Sequence, residues 1–331
     1  MTLYEKTGHD KAMPVNEPAP LPDSTAAAAA VAAHKPDAAD LVPIMSPLKG
    51  TLLYILAMAI VPIMDGIAKH LSADMSVIQI TWARYFAHFA IMLPIVLIRH
   101  KPARLVPQQP FLQVVRGGLL LISTLCFFWA ISLMPLADAL AIVFVSPLIV
   151  TALSPWLLGE TVGVRRWSAV LVGFLGACII IEPDLEIFNG GAPLALAAGV
   201  TYALYLITTR RLAGSAPPSI TLFYTALLGA VALSLVVPFA WTTPSIGQMG
   251  LMAALGLIAA VGHLLVIKAF DTAPASQLAP FGYIEIVMAT AVGFLVFGDF
   301  PDNWTWFGIA VVVASGVYVS LRERSVKAHS P

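Results

Sequence analysis

Long apolar runs separated by short polar breaks dominate the chain from Thr51 to Leu321, and ten of them approach the length of a bilayer-crossing helix. An α-helix rises 1.5 Å per residue and the hydrocarbon core is roughly 30 Å thick, so about 20 apolar residues span it. The pattern predicts helices over Thr51–Leu71, Val77–Leu97, Phe111–Leu133, Leu136–Leu157, Trp167–Ile181, Pro193–Thr209, Ile220–Phe239, Gly250–Ala269, Ser276–Phe297 and Trp304–Leu321. The connections are short and often closed by Pro, Gly or Asp, as at Met134-Pro135, Glu182-Pro183-Asp184 and Phe300-Pro301-Asp302. Little room is left for a domain outside the membrane, and the expected fold is an all-α polytopic membrane protein of ten transmembrane helices.

Charge placement orients this bundle. Lys49, Arg99, Lys101, Arg104, Arg116, Arg165, Arg166, Arg210, Arg211, Lys268, Arg322, Arg324 and Lys327 fall on alternate connections. The other side holds Lys69, together with Glu182, Asp184, Glu186, Asp299 and Asp302. Cations near helix ends stay in the cytosol, so both termini are expected inside, in a bacterial inner (cytoplasmic) membrane. An odd number of helices would scramble the segregation.

Composition agrees. Hydrophobic residues make up 59% of the chain and charged residues 11%, against roughly 25% charged in soluble domains. A formal net charge of zero gives no reason to expect a nucleic-acid partner. Cys126 and Cys178 lie in apolar segments and read as small hydrophobes, with neither metal-ligand spacing nor a disulfide framework. Residues 1–47 are rich in Pro and Ala, carry Asp10, Asp23, Asp37 and Asp40, and read as a disordered cytosolic tail. Ala26 to Ala33 is too short and weakly apolar for a signal-peptide core, so the first helix is expected to act as an uncleaved signal-anchor. Residues 322–331 form a second cytosolic tail.

The chain also repeats itself. A gapless shift of 139 residues aligns Ala130 with Ala269, Pro135 with Pro274, Thr151 with Thr290, Ala152 with Ala291, Gly159 with Gly298, Glu160 with Asp299 and Trp167 with Trp306. Two halves of five helices result, residues 48–182 and 191–321. Because five is odd, the second half is expected to enter the membrane inverted, as in many secondary transporters.

The segment Phe128-Trp129-Ala130 through Pro135, then Pro147, Gly159-Glu160, Trp167 and Gly173, with its echo at Ala269, Pro274, Gly298-Asp299, Trp306 and Gly308, resembles the EamA-type drug/metabolite transporter superfamily. The likeness covers roughly Lys49 to Leu321. It implies a carrier of two inverted EamA repeats working without ATP or a cofactor, on substrates that range across amino acids, nucleotide-like metabolites, vitamins and drugs. Two features depart from it: the long N-terminal tail, and the lack of a second-half basic residue aligned with Arg84. The run Met64-Asp65-Gly66-Ile67-Ala68-Lys69 with Trp82-Ala83-Arg84-Tyr85 looks most like bacterial metabolite or vitamin uptake members, riboflavin carriers among them. Riboflavin uptake is the leading substrate expectation and export of amino acids or drugs the alternative. Expected partners are a small-molecule substrate, the lipid bilayer and a second copy of the chain as a homodimer.

Polar groups inside apolar helices mark the candidate site. Asp65 and Arg84 lie at similar depth in the first two helices and can meet across the hairpin, either as an ion pair locking them or with Arg84 free to bind a carboxylate, phosphate or polarised carbonyl. His88 stands one turn beyond Arg84 on the same face. Glu285 follows Pro280, Gly282 and Tyr283, and the matching place in the first half is Ser146 before Pro147. Such helix-breaking residues free backbone carbonyls and shape a cavity. Glu285 either takes up a proton coupled to transport or serves as a hydrogen-bonded packing group, and His263 either shares that proton or, as the favoured reading, is a satisfied packing residue. Trp82, Phe127, Phe128, Trp129, Tyr202, Tyr205 and Tyr283 can stack a planar ligand, and Trp82 and Tyr283 are singled out as neighbours of the charges. Gln79 is expected at the entrance, and Trp167, Trp304 and Trp306 as interfacial anchors.

No enzyme is expected. The chain lacks a Gly-Lys-Ser/Thr phosphate loop, His-Glu-x-x-His and Gly-x-Ser-x-Gly, and its Ser, His and acids do not gather at one depth. A non-transporting membrane scaffold or receptor is the remaining class, and it has no need of two halves with matched helix breakers.

Overall fold

The computed structural model describes residues 47–100, 105–159, 162–181, 190–212, 215–273 and 278–327. The expected N-terminal tail, the acids Glu160, Glu182, Asp184 and Glu186, and Pro274 lie outside them. No strand occurs among the described residues. The helices are α1 (Pro47–Leu71), α2 (Val77–Arg99), α3 (Pro110–Leu133), α4 (Leu136–Val143), α5 (Ser146–Leu158), α6 (Val164–Ile181), α7 (Ala192–Arg211), α8 (Pro218–Val236), α9 (Ile246–Thr272), α10 (Ile284–Val292) and α11 (Asn303–Lys327). Short 3-10 turns cover Val237–Ala240 and Ala279–Tyr283, and a π turn covers Gly293–Phe297.

Each of the ten predicted segments contains a helix, and the fourth and ninth are irregular. Seven stretches are long and apolar enough to cross a membrane, with shorter apolar helices at Trp167–Ile180 and Phe281–Phe297. The fourth segment breaks at Phe144 and Val145, just before Pro147 enters α5 at its first turn, where the missing N–H costs nothing. The ninth opens as a 3-10 turn through Pro280 and closes as a π turn. Two helix starts are fixed by side-chain caps. Ser76 accepts from the Gln79 amide at α2, and Ser245 and Gln248 form a reciprocal capping box at α9.

The sequence repeat reappears as repeated local structure. Met134 and Ala273, equivalent under the shift, each cap a helix by donating to the carbonyl four residues back. Thr151 and Thr290 each donate to the i−4 carbonyl at 3.0 Å, from Pro147 and Ile286 respectively. Gly159 and Gly298 end their helices in left-handed backbone with φ of 68° and 75°, which a side chain would strain.

Packing follows the same exchange. Helix α1 lies along α9 and α10, and its second-half equivalent α7 lies along α3, α4 and α5. Helix α2 pairs with α8 and α6 with α11, each with its own equivalent. Phe144 and Tyr283 also occupy equivalent positions, and their rings touch at 5.4 Å between centroids. This is the packing of two halves related by an approximate two-fold axis, and it makes the centre of the molecule a junction between them. The α6–α11 seam is close because it is glycine-lined. A Cβ on Gly308 would stand 2.8 Å from the Gly176 carbonyl oxygen, and one on Gly173 would press into Leu148 and Ser315.

The main apolar core draws Met64, Ile142, Leu148, Ile180, Leu255, Ile286 and Val312 from both halves. Large apolar side chains such as Ile98, Trp156, Leu235, Phe239 and Leu295 point outward. On a soluble protein such a surface would aggregate; in hydrocarbon it is at equilibrium with its solvent.

Candidate functional site

Arg84 sits two turns into α2 and is buried. Its Nη1 donates to Thr124 Oγ1 at 3.2 Å, an oxygen shared with the Tyr85 hydroxyl at 3.2 Å. The guanidinium lies over the Tyr85 and Phe128 rings at 5.0 and 6.0 Å. Its Nε is buried without a hydrogen-bond partner. Asp65 on α1 is also buried and within electrostatic reach of Arg84, yet the two form no direct ion pair. One turn past Arg84, His88 is buried with Nε2 unpartnered, and its ring stacks on His263 of α9 at 5.4 Å and 13°.

Glu285 continues the polar column on the opposite wall. Glu285, Tyr54, Tyr202 and His263 each keep part of their surface accessible. Glu285 is within electrostatic reach of Asp65, Tyr54 and Tyr202. Tyr202 stacks on Tyr205 at 5.5 Å and 24°. Tyr283 rests on Phe144 and extends its hydroxyl over Gly316 of α11, where any Cβ would overlap it.

Arg116 continues the series. It is buried and spreads its three nitrogens over neutral hydroxyls: Nε to Thr209 at 2.8 Å, Nη1 to Thr225 at 2.6 Å, and Nη2 to Tyr205 at 2.7 Å. Its guanidinium also lies over the Tyr205 ring at 4.6 Å. His263 is within reach of both Arg84 and Arg116, and Tyr202 of both Arg116 and Glu285. Arg84, Asp65, Glu285, Tyr202, Arg116 and His263, one residue from each of six helices and both halves, are thus joined in sequence by electrostatic reach. Arg84 bonds Thr124, eight residues along α3 from Arg116, so at 1.5 Å per residue the two arginines stand about 12 Å apart along the bundle.

Other residues singled out in the sequence stand elsewhere. Gln79 is fully buried and binds the Thr242 backbone both ways, Nε2 to the carbonyl and the amide to Oε1, each at 2.8 Å. Trp82 donates to Ser234 at 2.9 Å and packs on Phe86 and Trp241. Both therefore join α2 to the end of α8 and the loop that follows. Pro147 and Pro280 sit at the two helix breaks, and Gly282 faces the Tyr54 hydroxyl. Arg116 and Tyr54 were not picked out as site residues by sequence reasoning. Arg116 lies only six residues into its helix and reads there as an interfacial cation.

The halves are also clasped at both ends. Lys69, in the last turn of α1, donates to Asp299 at 2.7 Å and to the Met134 carbonyl at 3.0 Å, with its ammonium 5.0 Å from the Phe297 ring centroid. Beside it opens a cavity of about 350 Å³ lined by Lys69, His70, Ser72, Ala73, Ser132 and Phe297. At the other end Arg211, in the last turn of the equivalent helix α7, donates through Nε at 3.0 Å and through Nη2 to the Leu157 carbonyl near the end of α5.

Comparison with known proteins places this architecture. The model of the EamA-like transporter family matches residues 48–182 and again residues 189–321. A riboflavin transporter of Vibrio cholerae is 30% identical, covering 85% of this chain and 98% of the relative. An S-adenosylmethionine uptake transporter of Rickettsia prowazekii is 26% identical over 84% and 94%. A pseudopaline exporter of Pseudomonas aeruginosa is 28% identical over 82% and 95%. A solved crystal structure shares the fold with a TM-score of 0.59 and 19% identity, covering 85% of this chain and 99% of that one. With two family domains filling the membrane part and relatives that match it nearly end to end, this multi-pass membrane protein belongs to the EamA-like transporter family.

Proposed function

We propose that the protein is a secondary carrier for a small organic metabolite, with its site in the polar column between the halves and access alternating between the two sides. The observation that carries this reading is the polar series from Arg84 to His263. Buried charges in a bilayer protein are expensive, and here Asp65, Arg84 and Arg116 are buried on three helices without an ion pair between any two of them. Ten crossings, both termini in the cytosol and a bacterial inner-membrane location complete the proposal, supported by the segregation of cations along the sequence. The Lys69–Asp299 and Arg211–Leu157 contacts serve as the closures at the two ends, each released in turn.

Riboflavin uptake is the leading substrate, supported by the Vibrio cholerae relative and by aromatic rings at the column; the identities of the other relatives put S-adenosylmethionine and exported metabolites in the same test. Cells expressing the protein, and proteoliposomes containing it, should move at least one labelled compound from a panel of riboflavin, S-adenosylmethionine and amino acids faster than controls. Efflux from preloaded vesicles reads the export direction. Correctly inserted protein that moves none of the panel in either direction defeats the carrier reading.

A further inference from the structure

We infer that the ligand of the central column is a zwitterion, with its anionic group on the open donors of Arg84 and His88 and its cationic centre facing Asp65 and Glu285. The inference rests on the carrier reading above and concerns the substrate class of that same site.

The argument is one of charge pairing. Arg84, Arg116 and Asp65 are buried, Glu285 lies within electrostatic reach of Asp65, and none of the four makes an ion pair with another. Burial makes an unpaired charge costly, and a carboxylate beside a guanidinium is the ordinary remedy. Here the remedy is withheld. Arg84 spends one nitrogen on a threonine hydroxyl and keeps Nε buried and unpartnered; His88 on the next turn keeps Nε2 in the same condition. Arg116 differs, because all three of its nitrogens are occupied by Thr209, Thr225 and Tyr205. Arg116 thus commits three of its five N–H donors against one of five at Arg84, so the anion belongs at Arg84.

The same bookkeeping decides the rest of the ligand. A simple anion would engage the open donors of Arg84 and His88 and bring no opposite charge to Asp65 and Glu285, and a simple cation would do the reverse. A molecule carrying both signs satisfies both walls, and the accessible surface at Glu285 gives its cationic end a place to stand. The stacked Tyr202 and Tyr205 rings add a flat apolar face beside that end.

The test uses the purified full-length protein in detergent and in proteoliposomes. Binding by thermal shift and transport are measured for S-adenosylmethionine and the standard L-amino acids. Any compound that binds is then compared with its decarboxylated amine and its N-acetylated or deaminated acid, with riboflavin as the neutral planar control. At least one zwitterion should bind and be transported, and removing either charge should weaken it at least tenfold. In Arg84→Gln the loss on decarboxylation should shrink to within about threefold, while the loss on N-acetylation persists; in Glu285→Gln the pattern should reverse. The ligand-side comparison is complete in the unmodified protein, so misfolding of a variant does not blunt it. A decarboxylated or acylated form that binds within threefold of its zwitterion overturns the inference. Transport of riboflavin with no zwitterion bound overturns it and leaves the carrier standing; no transport of any compound overturns both.

Discussion

Neutralising the Lys69–Asp299 clasp should open the end of the bundle it closes. The ammonium is held by a carboxylate at 2.7 Å, a backbone carbonyl at 3.0 Å and an aromatic face, with the two side chains 16% and 31% exposed. Fully exposed pairs contribute about 0.2–1 kcal/mol and charged hydrogen bonds about 1.5–3 kcal/mol. A half-exposed pair with one strong bond falls between, at about 1–2 kcal/mol, which corresponds to a population shift of about 5–30-fold. Only the closed state contains the contact, so its loss should raise the open population by that factor. The reporter is a cysteine at Met64, buried more than a turn deeper on α1, in a background where Cys126 and Cys178 are replaced. Its labelling rate by a membrane-impermeant thiol reagent tracks the open population. Asp299→Asn should raise that rate toward the lower bound, because the Met134 carbonyl still holds the ammonium. Lys69→Met removes every contact and should approach the upper bound. The paired exchange Lys69→Asp with Asp299→Lys should bring the rate back down. Labelling unchanged within twofold in both single variants, at normal expression, would refute the clasp as a closure.

Arg84→Ala should cut substrate affinity at least tenfold while the protein still inserts, and Arg84→Lys should restore only part, because an ammonium cannot reproduce the planar fork; equilibrium binding on purified protein checks both. Gly316→Ala should destabilise by about 1–3 kcal/mol, since its methyl competes with the Tyr283 hydroxyl, whereas Gly118→Ala, with open space around it, should fall within about 0.5 kcal/mol; melting in detergent compares them. A cysteine at Asp302 should be labelled from outside intact cells and one at Arg324 spared, and the reverse pattern would invert the proposed orientation.

Hydropathy reported correctly where helices lie because it registers the solvent of each segment separately. The repeat matches at Thr151/Thr290 and Gly159/Gly298 were legible for the same reason, being properties of one position and its copy. What the sequence could not display were pairings. Lys69 stood out as a lone cation on its side and Asp299 as a repeated acid, yet they are 230 residues apart and meet only because α1 packs on α10. Gln79 reads as an entrance residue until the chain after α8 folds back and offers it the Thr242 backbone. Arg116 reads as interfacial until α7 and α8 bring three hydroxyls to it. Asp65 and Arg84 read as a facing pair across the first hairpin, yet Arg84 Nη1 goes to Thr124 from a third helix.

The contact between Phe144 and Tyr283 behaves as a bearing. Each is the other's counterpart, so a motion that exchanges the roles of the halves carries the pair onto itself and the contact is present at both ends of the stroke. The extra hydroxyl on Tyr283 is matched by Gly316, whose counterpart 139 residues earlier is Ala177, so ring and notch change size together. A part that is the same in both end positions cannot favour either one.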